Sequence, residues 1–196
     1  MLQIAHPFVK WAGGKSQLLD KIREKYPQKI KKYCEPFVGG GAVLFDILNN
    51  FQPEKILIND INKDLINTYN QVRDNPDMLI SKLAELQDIY RNQSSEKNKE
   101  LFYEKRSRFN ELKISENDAE NLEKAVLFIF LNKTCFNGLY RVNKKASSMF
   151  RSTMQKTMAC RLKPSGFPHF AAAHSAATLG CSGTSVLQSL TRKMCK

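Results

Sequence analysis

Phe37-Val38-Gly39-Gly40-Gly41 stands between a short strand pattern and a helix pattern, and Asp60 closes the next apolar run. Glycines at a strand-to-helix turn let the backbone approach a ligand closely, and the following helix N-terminus favours negative charge. An acid about twenty residues further on, at the end of the next strand, can accept both hydroxyls of a ribose. The pattern is that of an adenosine-cofactor site, open to either a dinucleotide or S-adenosylmethionine. Gly39-Gly40-Gly41-Ala42-Val43-Leu44 lacks the third glycine of the dinucleotide pattern GxGxxG, which favours the methyl donor. Upstream, Trp11 could pack against a sulfonium or a ring, and Lys15 could pair with a cofactor carboxylate.

A second constellation lies further along. Lys133, Arg141, Lys144 and Lys145 are interleaved with Phe136, Asn137 and Tyr140. Basic side chains hold phosphates, an arginine can fork onto guanine, and an aromatic can fill the gap left by an extruded base. On spacing alone, a glycine-containing turn after a buried helix, with ordinary surface charges, fits the same residues equally well. The basic run Lys29 to Lys32 reads as a solvated face, and Cys34 and Cys135 as buried thiols.

The elements that must position these groups follow from periodicity. Leu18, Leu19 and Ile22 recur at helical spacing within Lys15 to Lys25, and Lys31 to Phe37 reads as a strand ending in the glycine turn. Val43, Leu44, Ile47 and Leu48 mark a helix, and Lys55 to Asp60 a compact strand with an acid at its carboxyl end. Helical patterns follow at Leu65 to Val72, from Pro76 through Leu86, at Leu101 to Leu112 and at Glu120 to Leu131; the polar stretch Asn92 to Lys99 reads as a loop. Strands alternating with helices predict an α/β domain with a largely parallel sheet.

Composition bounds the rest. The chain has 196 residues, of which 42% are hydrophobic and 26% charged, which excludes a wholly disordered or collagen-like protein. No run approaches the roughly 18 consecutive apolar residues of a membrane span. The N-terminus lacks the charged-then-apolar layout of a signal peptide, so the expectation is a soluble, cytoplasmic protein. Five cysteines without a CxxC pair indicate neither a disulfide framework nor a zinc site, and no metal is expected. The net charge of +12 favours a polyanionic partner, but it is unevenly placed. The segment 146–196 holds seven of the 31 Lys and Arg and none of the 19 Asp and Glu; it also lacks Ile, Asn and Tyr. Two pieces of different character therefore meet near residue 145.

Phe8-Val9-Lys10-Trp11-Ala12-Gly13-Gly14-Lys15, Glu35-Pro36-Phe37-Val38-Gly39-Gly40-Gly41, Ile58-Asn59-Asp60-Ile61-Asn62 and Phe136-Asn137-Gly138-Leu139-Tyr140-Arg141-Val142-Asn143 occur in this order. Together they resemble the Dam-type (D12 class) DNA adenine-N6 methyltransferases, over residues 6 to about 145. The resemblance implies a Rossmann-like S-adenosylmethionine-dependent core, incomplete here, with part of a helical DNA-recognition insertion. It divides the chain into a cofactor-binding part at 1–70, a helical DNA-recognition part at 71–145 and an aberrant basic tail at 146–196. It assigns S-adenosylmethionine to Trp11, Lys15, Phe37, Gly39, Gly41 and Asp60. It assigns duplex DNA to Lys133, Phe136, Asn137, Leu139, Arg141 and Asn143. A cognate restriction endonuclease is a further partner that the family admits.

In this family an Asp-Pro-Pro-Tyr element holds the target amino group and stacks the flipped adenine. The sequence contains no such element, so no residue is assigned to catalysis, and the chain alone is expected to be inactive. The tail suggests a cause. The family usually continues after Arg-Val-Asn into Phe-Asn-Val-Pro-Phe. Back-translation of Ala146 to Ser152, read two bases further along, permits Lys/Glu-Phe-Asn-Val-Pro-Phe, with Val forced by Met149–Phe150. Residues 146–196 therefore read as an out-of-frame translation, without a selected hydrophobic pattern and expected to be largely disordered. Resequencing the locus across codons 140–200 tests this reading. One base added after codon 145 is expected to restore Phe-Asn-Val-Pro-Phe and then Asp-Pro-Pro-Tyr; if no single-base change does so, the frameshift reading is wrong.

Overall fold

The computed structural model describes residues 5–115, 117–135 and 140. The tail and its expected disorder lie outside the described residues. A 3-10 turn at Lys15–Leu18 leads into α1 (Leu19–Arg23), followed by β1 (Lys32–Glu35), α2 (Ala42–Asn50) and β2 (Lys55–Ile58). Four helices complete the described chain: α3 (Lys63–Asp74), α4 (Pro76–Arg91), α5 (Ser95–Ser115) and α6 (Asn121–Thr134). The architecture is mixed α/β with a small parallel sheet. β1 pairs with β2 in the register Lys32↔Lys55 to Glu35↔Ile58, and α2 is the crossover between them.

Local chemistry sets the helix starts. The Asn62 side chain accepts from the Leu65 N–H at 3.0 Å and caps α3, while Pro76 opens α4, where a missing N–H costs nothing. α5 begins at Ser95, within the stretch expected to be a loop. Ser94 explains the difference: its backbone carbonyl accepts from the Asn98 N–H at 2.9 Å and its hydroxyl from the Lys97 N–H at 3.4 Å. The polar residues that resemble a loop are thus a helix cap and first turn. α6 likewise runs three residues past Leu131, because Asn132 and Thr134 are buried with it.

α6 is the centre of the molecule. Residues Lys124 to Asn132 are all buried, and the helix packs against α3, α4 and α5. A helix apolar on every side must be enclosed, and here the other helices enclose it. One apolar cluster runs from Ala5 through Phe45, Tyr69, Phe102 and Phe128 to Cys135. Arg108 of α5 fastens the entry to α6 by gripping both carboxylate oxygens of Glu123 at 2.9 Å.

Cys135 is buried, as expected, but Cys34 is exposed. It pairs in register with Leu57, which is itself 66% exposed, so this face of the two-stranded sheet carries no covering element among the described residues. The run Lys29 to Lys32 is solvated except for the half-buried Ile30.

Tyr26 and Tyr90 are pushed up to about 12, first by burial and, for Tyr26, then by its hydrogen bond to Asp46. Burial also raises Tyr33, Tyr69 and Tyr140, aided by the nearby carboxylates Glu35, Asp60 and Asp64. A folded phenol held above its unfolded value contributes stability that is complete below the unfolded value of 10.0 and is lost as pH rises through the folded value. Stability is therefore expected to fall above pH 10, with most phenolate absorbance at 295 nm appearing together with unfolding. A simple titration of most tyrosines near 10.0 in the folded protein would contradict the packing described.

Candidate functional site

The carboxyl ends of β1 and β2 point to the same place. β1 delivers Glu35 into Pro36-Phe37 and the glycine turn, and β2 delivers Asn59-Asp60 beside it. The ladder extends past the strands: the Asn59 N–H donates to the Glu35 carbonyl and the Val38 N–H to the Asn59 carbonyl, both at 2.9 Å. Asp60 then ties the turn down. Its Oδ2 accepts from the Gly39 N–H at 2.9 Å and its Oδ1 from the Asn62 N–H at 3.0 Å.

Gly39 has φ of 52° and Gly41 of 81°, backbone that β-carbon-bearing residues rarely adopt. Space enforces the same choice. A β-carbon on Gly41 would lie 2.5 Å from the Tyr69 hydroxyl and 2.9 Å from the Phe45 ring, and one on Gly39 would lie 3.0 Å from the Trp11 ring. The Tyr69 hydroxyl donates to the Gly39 carbonyl at 3.1 Å, so the turn is held from beneath as well as from the side.

The segment bearing Trp11 belongs to neither strand yet is held as firmly as one. The Lys10 N–H donates to Asn132 Oδ1 at 2.8 Å, and Asn132 Nδ2 donates to the Lys10 carbonyl at 2.9 Å. Asn49 repeats the reciprocal pair on Ala5, at 2.8 Å in both directions. Two amide side chains thus replace a neighbouring strand. Trp11 then lies against the glycine turn on one side and stacks on Tyr140 on another, with centroids 5.9 Å apart at 17°.

These elements enclose a cleft of about 560 Å³, within the usual range for a small-molecule site. Five of the six residues assigned to the cofactor, Trp11, Lys15, Phe37, Gly39 and Asp60, line it. Gly41 does not; it sits behind the turn as the left-handed N-cap that precedes α2. Phe37 is 71% exposed at the mouth. Lys15 has partners inside the protein: Nζ donates to Glu35 Oε1 and to the Phe37 carbonyl, both at 2.8 Å. A carboxylate ligand would therefore meet the remaining donor of the ammonium group. Asp60 keeps unused lone pairs on both oxygens and can accept from hydroxyls while holding Gly39.

With this geometry in view, comparison with known proteins assigns the chain to a family. Residues 11–163 match the model of the D12 class N6 adenine-specific DNA methyltransferases. The chain belongs to that family. The match runs beyond the boundary near residue 145 that composition marks. The Type II methyltransferase M.MjaIII of Methanocaldococcus jannaschii is 50% identical over 144 residues, covering 71% of this chain and 49% of that protein. Type II methyltransferase M1.LlaDCHI of Lactococcus lactis is 40% identical over 139 residues, covering 71% and 44%. The DNA adenine methylase of Haemophilus influenzae is 39% identical over 139 residues, with the same shares. The chain spans about half the length of the curated relatives it matches. D12 methyltransferases use S-adenosylmethionine, and the family implies a Rossmann-like core of which β1, α2 and β2 form one parallel unit.

Of the residues assigned to DNA, Lys133 is half-buried in the last turn of α6, where a cation suits the helix C-terminus. Phe136, Asn137, Leu139, Arg141 and Asn143 lie outside the described residues. Tyr140 is not arranged as a free aromatic wedge: its ring packs on Trp11 and Phe128, and its hydroxyl donates to Asp64 Oδ2 at 2.7 Å.

The site also uses residues to which the sequence reading gave no role. Glu35 is only 6% exposed and accepts from Lys15 and from the Tyr33 hydroxyl, the latter at 2.7 Å. It lies within the quoted motif, so its position was visible although its part was not. Nothing in the type or spacing of Asn132 signals a clamp on a backbone 122 residues away.

Asn132→Leu keeps roughly the same volume and removes both side-chain partners of the part-buried Lys10 N–H and carbonyl, which is expected to cost about 1–3 kcal/mol. Gly41→Ala adds backbone strain and a clash with Tyr69 and is expected to cost at least about 1 kcal/mol. Urea unfolding followed by circular dichroism measures both; a loss below about 0.5 kcal/mol in either, the ordinary size of a surface substitution, would contradict the corresponding contact.

Proposed function

We propose that this chain is the cofactor-binding half of an adenine-N6 DNA methyltransferase, holding S-adenosylmethionine in the cleft between the glycine turn and Trp11. The carrying observation is the convergence on that cleft of Trp11, Lys15, Phe37, Gly39 and Asp60 from three separate stretches of sequence. S-adenosylmethionine supplies an activated methyl group when bound. The chain's own residues bind and orient it: Asp60 accepts from ribose hydroxyls, the Gly39–Gly41 turn gives close backbone approach, and Trp11 offers a π face to the sulfonium or adenine. Lys15, already neutralised by Glu35, carries one donor toward the amino-acid end of the cofactor.

Duplex DNA is the partner we assign, read by the segment from Lys133 to Asn143, with α3 to α6 as its support. The family reaction joins the adenine amino nitrogen to the methyl carbon. The sequence has no Asp-Pro-Pro-Tyr to hold that nitrogen, so the chain by itself binds without turning over. A restriction endonuclease of matching specificity fits the same reading, because two of the relatives are type II methyltransferases.

Equilibrium dialysis with labelled S-adenosylmethionine is expected to give one saturable site. Asp60→Asn removes the charge opposite the ribose and keeps one oxygen for the two backbone N–H groups that Asp60 holds, and is expected to weaken that site about tenfold or more. Incubation with tritiated cofactor and duplex DNA is expected to leave the DNA unlabelled. Labelled adenine would overturn the inactivity, and absence of any saturable site would overturn the cofactor assignment.

A further inference from the structure

The two faces of the β1–β2 sheet differ. Tyr33, Ile56 and Ile58 pack against the core and Glu35 is buried beside them, whereas Lys32, Cys34, Lys55 and Leu57 are exposed on the other side. In register, Lys32 stands beside Lys55 and Cys34 beside Leu57, which is 66% exposed. Parallel sheets are ordinarily covered on both faces, because their crossovers lay elements across each. Here one face is covered and the other is open among the described residues. The opening is large. A groove of about 700 Å³ is lined by Cys34, Ile56, Leu57 and Ile58 of the sheet and by Ile66 and Asn70 of α3. An aliphatic surface of this extent, rimmed by charge, marks a contact for another stretch of polypeptide.

Two observations bear on what that polypeptide is. The relatives are about twice as long as the stretch this chain matches, so each contains as much polypeptide again. In those proteins the second half accompanies a first half like this one, and a parallel unit needs cover on its open face. Charge bears on the same question. Lys32 and Lys55 are register partners that repel each other, and Glu54 is the one acid among the described residues of the groove. A two-fold contact of this face with itself would bring both lysine pairs together, which disfavours a second copy of the chain.

We propose that the open face of β1 and β2 is the docking surface for the half of a D12 methyltransferase that this chain does not match. That half sets aliphatic side chains on Cys34 and Leu57 and carboxylates beside Lys32 and Lys55. The inference rests on reading the chain as one half of a methyltransferase, and it names the partner that completes it.

Cys34 is the probe, because trypsin releases it in the single peptide from Tyr33 to Lys55, which holds no other cysteine. The full chain is co-expressed with a tagged polypeptide, the half of M.MjaIII outside the matched stretch. The two are expected to co-elute in equal amounts on size exclusion. Alkylation of Cys34 by iodoacetamide, read by mass spectrometry, is expected to be at least about tenfold slower in the complex than in the chain alone. Leu57→Asp places a charge on the aliphatic part of the face and is expected to abolish co-elution. The same variant is expected to bind S-adenosylmethionine within about twofold of the wild type, because Leu57 is exposed and outside the cleft. A half that stays apart from the chain, co-elution that leaves Cys34 equally reactive, or co-elution that survives Leu57→Asp overturns the proposal. So does a Cys34 already protected in the chain alone, which would mean that a second copy or the chain's own residues cover the face. Docking as expected without a saturable S-adenosylmethionine isotherm overturns the cofactor reading alone.

Discussion

The amide pair between Asn132 and the Lys10 backbone is the contact on which the site depends. Trp11 follows directly after Lys10, and the segment from Ala5 to Lys10 has no strand ladder to hold it among the described residues. Asn132 is fully buried on the central helix, so the clamp fixes this extended segment to the most rigid part of the core. Buried amide hydrogen bonds of this kind are strong less for what they add than for what their loss leaves exposed. Asn49 does the same for Ala5. The two asparagines set the wall of the cleft to the framework of α2 and α6, and the glycine turn can then approach that wall closely because it carries no β-carbons.

The polar groups of the cleft are organised before any ligand arrives. Asp60 spends one lone pair on Gly39 and one on Asn62, Lys15 spends two donors on Glu35 and Phe37, and Tyr33 and Tyr69 donate to the other carboxylate oxygen of Glu35 and to the Gly39 carbonyl. Such mutual satisfaction fixes the directions of the lone pairs and donors that remain. Binding then needs little reorganisation, which is where affinity is ordinarily lost. It also makes Asp60 a structural group of the cleft.

Much of this was legible in the sequence because the chemistry sits on local patterns. The glycine turn, the strand on either side and Asp60 follow from residue type and period. So do the cores of α2, α3 and α4, where apolar residues recur on one face. The start of α5 was misplaced because Ser94 and Ser95 serve equally well in loops and as caps, and only the Lys97 and Asn98 amides decide between the two. The exposure of Cys34 was missed because a short apolar strand looks the same whether one face or both are covered. Asn132, Asp64 and Lys113 were unreadable for a deeper reason: their partners are far away in sequence, and a polar residue before the fold is known has no preferred partner.

The division suggested by the sequence, cofactor part first and helical part after, does not correspond to two cores. A parallel pair of four-residue strands has little stability of its own. The residues that hold the neighbouring Lys10–Trp11 segment come from the helical part: Phe128 behind Trp11 and Asn132 on Lys10. No residue of α3 to α6 lines the cleft, yet its Trp11 wall is held by α6, which α3, α4 and α5 enclose. The outward face of the sheet, with Cys34 beside Leu57, has no such support among the described residues. A cleft built in this way owes the placing of its Trp11 wall to the helices. Phe128 of α6 and Tyr140 are the two rings through which that framework reaches Trp11.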